Sequence, residues 1–109
     1  MLKDDTGPIW KAMSDTTRRA ILDLLKSRER TTGELCEKFP KLSRVNVMKH
    51  LDVLEQAGLV LVKREGKFRW NYLNPMPLQE IYERWVRPHQ ASWATKAFSL
   101  KSHIEKQKG

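Results

Sequence analysis

Between Thr31 and Gly58 the sequence carries the start and stop signals of two short helices in close succession. Thr31 and Glu34 form a capping box, because each side chain can bond to an exposed backbone N–H near the other. This predicts a first helix that begins at Thr31 and ends near Pro40. Ser43 is a natural N-cap for a second helix, and Gly58 is a natural C-cap that ends it. These signals predict two helices joined by one tight turn.

The second helix is amphipathic. At about 100° per residue, Val47, Leu51 and Leu54 fall on one face, which predicts that this face lies in the core. The opposite face is mostly polar and is therefore free to contact a partner. It carries Val45, Asn46, Met48, Lys49 and Asp52.

After the second helix the pattern changes to that of a β-hairpin. Residues 59–62 form an apolar, β-branched run, and Glu65 and Gly66 reverse the chain. The returning segment alternates, with three aromatics on one face and Arg69 and Asn71 on the other. One of these faces packs on the helices, and the other meets solvent or a ligand. Two helices across a turn, followed by a hairpin, make a winged helix-turn-helix.

Helical patterns flank this motif on both sides. Before it, a short segment around Trp10 and a longer helix, capped by Ser14 and running from Asp15 to about Arg28, would complete a three-helix core. After it, prolines interrupt the chain and apolar residues then recur at helical spacing. The fold class is mainly α with a small β-hairpin. We expect a single domain over 1–109, with the helix-turn-helix at about 31–58, the wing at about 59–73 and C-terminal helices at about 77–106.

The C-terminal helix carries more apolar surface than so small a core can cover. We therefore expect a twofold homodimer, in which this helix and the helix around Trp10 pack against their mates. The alternative is that the C-terminal helix folds back on its own domain. The residues expected at the dimer interface are Trp10, Trp85, Trp93, Ala97, Leu100 and Ile104.

The balance of charge points to an anionic partner. The 109 residues include 21 Lys and Arg against 13 Asp and Glu, a net charge of +8, and a basic domain of this size most often serves nucleic acid. The sequence has no Gly-rich phosphate loop or nucleophile elbow, so we do not expect an enzyme. Because Cys36 is the lone cysteine and no apolar run is long enough to span a membrane, we expect a soluble, cytoplasmic protein.

Candidate contacts to duplex DNA lie on the second helix and the hairpin. An α-helix fits the major groove, and its N-terminal residues meet the base edges. Arg44 suits guanine, Asn46 suits adenine and Lys49 suits a phosphate. His50 is expected either to pack within the protein or to make one phosphate contact. Thr32 would donate its backbone N–H to a phosphate. The full expected set is Thr32, Lys41, Ser43, Arg44, Val45, Asn46, Met48, Lys49, His50, Arg64, Lys67 and Arg69.

Three motifs in order carry a family resemblance. They are Ser14 to Leu22, then Leu42 and Ser43 leading to Lys49, His50 and Leu51, and finally Leu54 to Val60. With the basic hairpin that follows, they resemble the ArsR-type winged-helix repressors of bacteria and archaea over nearly the whole chain. The resemblance implies a homodimer that binds a palindromic operator and represses nearby genes, often including its own.

The chain departs from the metal-sensing members of that family. Their metal box reads Glu-Leu-Cys-x-Cys, whereas this chain reads Glu34-Leu35-Cys36-Glu37-Lys38 and keeps one thiolate. One soft ligand beside an ammonium is a poor site for a thiophilic ion, and His89 and His103 do not match the family's second, Asp-and-His site. We therefore expect the branch without a metal site and without a cofactor. Oxidation of Cys36 is the alternative to metal binding as the signal that such a protein would sense.

A winged helix can also serve as a protein-interaction or RNA-binding module, since fold does not fix function. An interaction module would carry an apolar outer face on the second helix. The outward Arg44, Asn46 and Lys49 favour nucleic acid instead, and the fit to a major groove favours duplex DNA. The sequence therefore predicts a DNA-binding transcriptional regulator.

Overall fold

The computed structural model describes the backbone of residues 4–108 and their side chains, except those of 93, 94, 98 and 106–108. The chain divides into an N-terminal unit that ends at Leu78 and a C-terminal unit that begins at Gln79. In order, the elements are α1 (Gly7–Met13), α2 (Thr16–Ser27), β1 (Arg30–Thr31), α3 (Thr32–Lys38), α4 (Arg44–Gln56), β2 (Val60–Glu65), β3 (Phe68–Leu73) and α5 (Met76–Ile81), followed by a π-helical turn (Tyr82–Val86), a 3-10 turn (Arg87–His89) and α6 (Gln90–Lys108).

The core of the N-terminal unit forms around the inner face of α4. Val47, Leu51 and Leu54 are fully buried, which confirms the face predicted from their spacing. Ile21 of α2 and Leu35 of α3 are also fully buried, and α1, α2 and α3 all pack on α4. Each buried side chain of this size contributes about 1.5–3 kcal/mol relative to an exposed one, so the inner face holds α4 in place and leaves its outer face presented.

The start of α2 differs from the prediction by one residue. Asp15, not Ser14, is the N-cap, and its carboxylate accepts from the backbone N–H of Arg18 at 3.0 Å. Asp15 has the extended backbone that an N-cap needs, whereas the Ser14 hydroxyl donates to the carbonyl of Lys11 and closes α1. Ser14 therefore belongs to the end of the preceding helix.

The predicted caps of the two helix-turn-helix helices are present. Thr31 accepts from the N–H of Glu34 at 3.1 Å, and Ser43 accepts from the N–H of Asn46 at 3.2 Å. The Glu34 carboxylate also bonds to Arg28 at 2.8 Å. That bond also holds the pKa of Glu34 below its usual value.

Gly58 ends α4 as predicted. Its φ is 76°, a conformation that glycine adopts without strain. The N–H groups of Gly58 and Leu59 donate to the carbonyls of Glu55 and Leu54, which is the bonding pattern of a Schellman motif. The chain therefore leaves α4 directly into strand β2.

The predicted hairpin is present, and a short third strand extends it. β2 and β3 pair antiparallel from Val60 opposite Leu73 to Glu65 opposite Phe68, and Gly66 turns the chain with φ 59°. β1 pairs with the other edge of β3, which gives the order β1-β3-β2. The hairpin β2–β3, residues 60–73, is called the wing below.

The C-terminal unit consists of helical segments. Pro88 lies in the 3-10 turn that precedes α6, so a proline interrupts the helical pattern here, as expected for this part of the chain. A bond from the Tyr82 hydroxyl to Gln90 spans the break. Within the described residues, none of the helices has the length and apolar character needed to cross a membrane.

Candidate nucleic-acid interface

The N-terminal end of α4 presents an exposed, mostly polar face. Arg44, Val45, Asn46 and Lys49 are all exposed, and the Ser43 cap fixes the first turn that carries them. Because the inner face of α4 is buried in the core, these side chains project from a helix whose position is fixed. Their arrangement is that of a helix able to present donors and one apolar group to the edges of base pairs.

Two residues of the predicted contact set lie at the border of this face. Met48 is half-buried, with its sulfur 4.0 Å from the guanidinium of Arg69. His50 is half-buried against α2, where its Nδ1 lies 3.3 Å from Nη1 of Arg18 and 3.8 Å from a carboxylate oxygen of Asp15. His50 therefore packs against α2, which agrees with the expectation that it packs within the protein.

Thr32 and Lys41 differ in exposure. The Thr32 side chain is buried, and its hydroxyl accepts from the amide of Asn71 at 3.2 Å. Its side chain is therefore not available at the surface, which leaves only the backbone role expected for it. Lys41 is exposed in the turn before Ser43.

The tip of the wing is basic. Lys63, Arg64 and Lys67 are exposed near Gly66. Lys63 is paired with Glu65 at 3.0 Å, which raises the pKa of the lysine. The ammonium of Lys67 lies 5.5 Å from the ring centroid of Phe68, a cation–π distance. Among the described residues, neither Arg64 nor Lys67 forms an ion pair with a carboxylate.

Arg69, which was expected to contact DNA from the wing, is almost entirely buried. Only 8% of the residue is exposed. Its Nη2 donates to the carboxylate of Glu55 on α4 at 2.9 Å, and its Nη1 donates to the side-chain oxygen of Asn71 at 3.0 Å. The alternation of β3 was read correctly, but the polar face is the one that packs on the helices.

Asn71 extends this buried polar network from the wing to β1 and α3. The residue is fully buried, and its amide donates to the backbone carbonyl of Arg30 and to the hydroxyl of Thr32, each at 3.2 Å. Sequence reasoning did not assign roles to Glu55 and Asn71. For Asn71, the sequence showed only that it shares one face of the returning strand with Arg69.

The Asp-Thr-Thr-Arg-Arg motif joins the end of α1 to α2. Arg18 donates to the carbonyls of Ala12 and Lys11 at 3.0 and 2.7 Å, and Arg19 donates to the carbonyl of Met13 at 2.6 Å. The last carbonyls of a helix have no partner within the helix. Arg18 therefore satisfies the carbonyl of Ala12 and adds a bond to that of Lys11, which also accepts from Ser14, and Arg19 satisfies the carbonyl of Met13. Neither residue lies on the exposed face of α4.

The residues predicted for a dimer interface are exposed where the structure describes them. In the N-terminal unit, Trp10 is 51% exposed. In the C-terminal unit, Leu100 and Ile104 are 59% and 50% exposed, and Trp85 and Ala97 are exposed as well. The side chain of Trp93 lies outside the described residues. Uncovered apolar side chains of this size mark a surface that a partner can bury.

Within the described residues, no group of three or more His, Cys, Asp or Glu side chains could hold a metal ion. Cys36 is half-buried on α3.

Comparison with known proteins agrees with this geometry. The model of a helix-turn-helix domain family matches residues 13–63. The transcriptional repressor SdpR of Bacillus subtilis is 42% identical over 72 residues, which cover 66% of this chain and 79% of the relative. The arsenical resistance operon repressor of Staphylococcus aureus is 33% identical over 79 residues, which cover 72% of this chain and 75% of the relative.

Solved structures share the fold. The crystal structure of an ArsR family transcriptional regulator superposes with a TM-score of 0.72 at 28% identity, over 84% of this chain and 98% of that one. An ArsR-like transcriptional regulator from Rhodococcus sp. RHA1 gives a TM-score of 0.68 at 26% identity, over 91% of this chain and 89% of that one. The chain belongs to the ArsR-type winged helix-turn-helix family of DNA-binding transcriptional regulators, which are not enzymes.

Proposed function

We propose that this protein is a homodimeric repressor that binds an inverted-repeat operator in double-stranded DNA without a metal cofactor. One observation carries the proposal: the exposed donors at the start of α4 lie in the same unit as a basic, exposed wing tip. A helix of this kind reads the major groove, while a neighbouring hairpin holds the flanking backbone. The matched relatives that are named as repressors support the direction of regulation.

Within this proposal, the base readers are Arg44, Val45 and Asn46. Arg44 can donate two bonds to a guanine edge, Asn46 can both donate to and accept from adenine, and Val45 can contact a thymine methyl. Positioning on the phosphates comes from the exposed cations that surround them. These are Lys41 and Lys49, together with Arg64 and Lys67 of the wing, while Ser43 caps the helix that carries the readers.

The homodimer is supported by the uncovered apolar side chains in both units. Leu100 and Ile104 lie one turn apart on α6, so they share one face of that helix. A twofold dimer would bury this face and would present two copies of α4 to two half-sites of one operator. A regulator that acts on DNA in this way works in the cytoplasm of a bacterial or archaeal cell.

Selection of duplex DNA from a random pool by the purified protein, without added metal, tests the proposal. We expect enrichment of an inverted repeat with half-sites about one helical turn apart. Failure of the folded protein to enrich any sequence would contradict operator recognition and favour an interaction module.

Variants of the reading face make the same test residue-specific. Arg44→Ala combined with Asn46→Ala should abolish the sequence preference while leaving the oligomeric state unchanged. Lys26→Ala is the matched control, because Lys26 is an exposed cation on α2, 3.9 Å from Asp23, and is not one of the proposed DNA contacts. An unchanged sequence preference in the double variant would refute the assignment of the readers.

A further inference from the structure

A small cleft opens between the reading helix and the wing. Its volume is about 170 Å³, and it is lined by Arg44 of α4, by Lys67, Phe68 and Arg69 of the wing, and by residues 31–33. A cavity that holds one water measures about 10–15 Å³, so the cleft has room for a tetrahedral anion.

Three cations line this cleft, one from α4 and two from the wing, and no carboxylate does. Within the described residues, the Arg44 side chain makes no hydrogen bond or ion pair, so its guanidinium is available to a ligand. The Lys67 ammonium lies 5.5 Å from the ring centroid of Phe68, a contact that leaves its three donors free for a ligand.

Arg69 forms a fixed wall of the cleft. Its side chain is 7% exposed, and Glu55 and Asn71 accept from its two terminal nitrogens. Its third nitrogen, Nε, is buried and has no hydrogen-bond partner among the described residues. A guanidinium held in this way loses little further freedom when a ligand binds beside it.

We propose that this cleft binds a single phosphate group, and that the phosphate belongs to the DNA backbone. The inference deepens the proposed function and rests on it. Guanidinium and ammonium groups that converge from several directions suit the oxygens of a phosphate. The cleft lies between the start of α4, which reads the major groove, and the wing tip, which faces the flanking backbone. A guanine edge takes two of the five N–H donors of Arg44, so Arg44 can also donate to a backbone phosphate that enters the cleft. This phosphate would meet Arg44 and Lys67 together, which makes Lys67 a specific contact and not a diffuse one.

Methylphosphonate scanning of the selected operator tests this directly, because each substitution removes the charge of one phosphate. The scan is carried out with the wild type, with Lys67→Met, and with Lys63→Met. Lys63→Met is the matched control, since Lys63 lies on the same hairpin, is paired with Glu65, and does not line the cleft.

At one phosphate in each half-site, methylphosphonate should weaken binding of the wild type and of Lys63→Met about tenfold, the size expected for one charge-assisted bond. At that same position it should weaken binding of Lys67→Met less than about twofold, because the cation that uses the charge is gone. If the losses from Lys67→Met and from methylphosphonate multiply at every position, the two groups do not meet and the inference is overturned.

Inorganic phosphate distinguishes the two possible sources of the ligand. Titration into the free protein, against sodium chloride of equal ionic strength, is followed by the amide NMR signals of Gly33 and Phe68. We expect weak shifts that are lost in Lys67→Met, together with no displacement of operator beyond the effect of ionic strength. Saturable binding of free phosphate that displaces the operator would overturn the assignment to the DNA backbone.

The two proposals fail in different ways. If selection yields no operator, the proposed function fails, and the cleft is then judged on inorganic phosphate alone. In that case shifts at Gly33 and Phe68 that depend on Lys67 sustain a phosphate site, and their absence overturns it.

Discussion

Arg69 and Glu55 join the wing to the recognition helix. Nη2 of Arg69 on β3 donates to the carboxylate of Glu55 on α4 at 2.9 Å, and the arginine side chain is almost fully buried while the glutamate is about half exposed. From Arg69 the network continues through Asn71 to Thr32 on α3 and to the backbone of β1. The wing is therefore held against both helices of the helix-turn-helix by side-chain bonds as well as by strand pairing.

Arg69→Met should lower the free energy of unfolding by about 2 kcal/mol, because it leaves the buried oxygen of Asn71 without its donor. The exposure of Glu55 limits the loss to less than that of a fully buried ion pair. Urea denaturation measures the change. Glu55→Gln keeps an oxygen that can accept from Arg69, so its loss should stay below about 1 kcal/mol. An Arg69→Met protein as stable as the wild type would show that the network does not hold the wing.

This network also shows where sequence reasoning reaches its limit. The inner face of α4, its cap Ser43 and its terminator Gly58 were predicted because each depends on residues within one or two turns. The orientation of β3 depends on partners on other elements, so the alternation identified two faces but could not assign them. The two-residue strand β1 has no period of its own and forms only because β3 offers an edge.

The candidate site divides in the same way. The exposed positions at the start of α4 follow from helical geometry and were predicted correctly as surface residues. Arg69 was expected to contact DNA because it lies on the basic hairpin next to the reading helix. Its partner Glu55 lies 14 positions away in sequence, so no local pattern indicated their bond. The cleft near Lys67 needs three separate segments, so no local pattern could have indicated it.

Arg18→Met should destabilise the protein by about 1–2 kcal/mol, because it removes donors from two carbonyls at the end of α1 and the contact with His50. Arg19 makes one exposed bond, to the carbonyl of Met13. Arg19→Met is the matched control and should cost less than about 0.5 kcal/mol. Thermal unfolding of the two variants measures the difference, and equal losses would contradict a special role for Arg18.

Asp15 should make stability depend on pH in the acid range. The carboxylate of Asp15 accepts a hydrogen bond from the backbone N–H of Arg18. This bond, together with the nearby charges of His50 and Arg18, holds the pKa of the carboxyl below its usual 3.8. A carboxyl with a lowered pKa stabilises the folded state above the unfolded value, and this contribution is lost as the pH falls through the folded value. Asp15→Asn keeps a capping oxygen but no charge. The wild type should therefore be more stable than Asp15→Asn near neutral pH, and the difference should shrink below pH 3.8.

Urea denaturation of both proteins at about pH 6 and about pH 3 measures this change. Asp23→Asn is the control for general charge effects, because Asp23 is an exposed carboxylate on the same helix. A difference between wild type and Asp15→Asn that stays constant with pH would rule out the ionised cap as its cause.

Arg64→Ala should weaken binding to all duplexes by a similar factor. Arg64 is exposed near the wing tip, and a phosphate contact carries no sequence information by itself. Its loss should also lower the slope of log affinity against log salt by about one unit. Fluorescence anisotropy at several salt concentrations measures both effects. Lys26→Ala on α2 should leave the slope unchanged, and an effect of Arg64→Ala confined to one sequence would count against a phosphate contact.

Leu100→Glu combined with Ile104→Glu should convert a dimer into monomers, because two carboxylates would have to be buried on one face of α6. Sedimentation equilibrium measures the mass directly. Leu61→Glu is the matched control, since Leu61 is 54% exposed on β2, close to the 59% of Leu100, but lies on the wing. If the α6 double variant keeps the mass of a dimer, the interface lies elsewhere. If it becomes monomeric and still binds a single half-site weakly, the reading surface is intact and α6 supplies the contact that joins two of them.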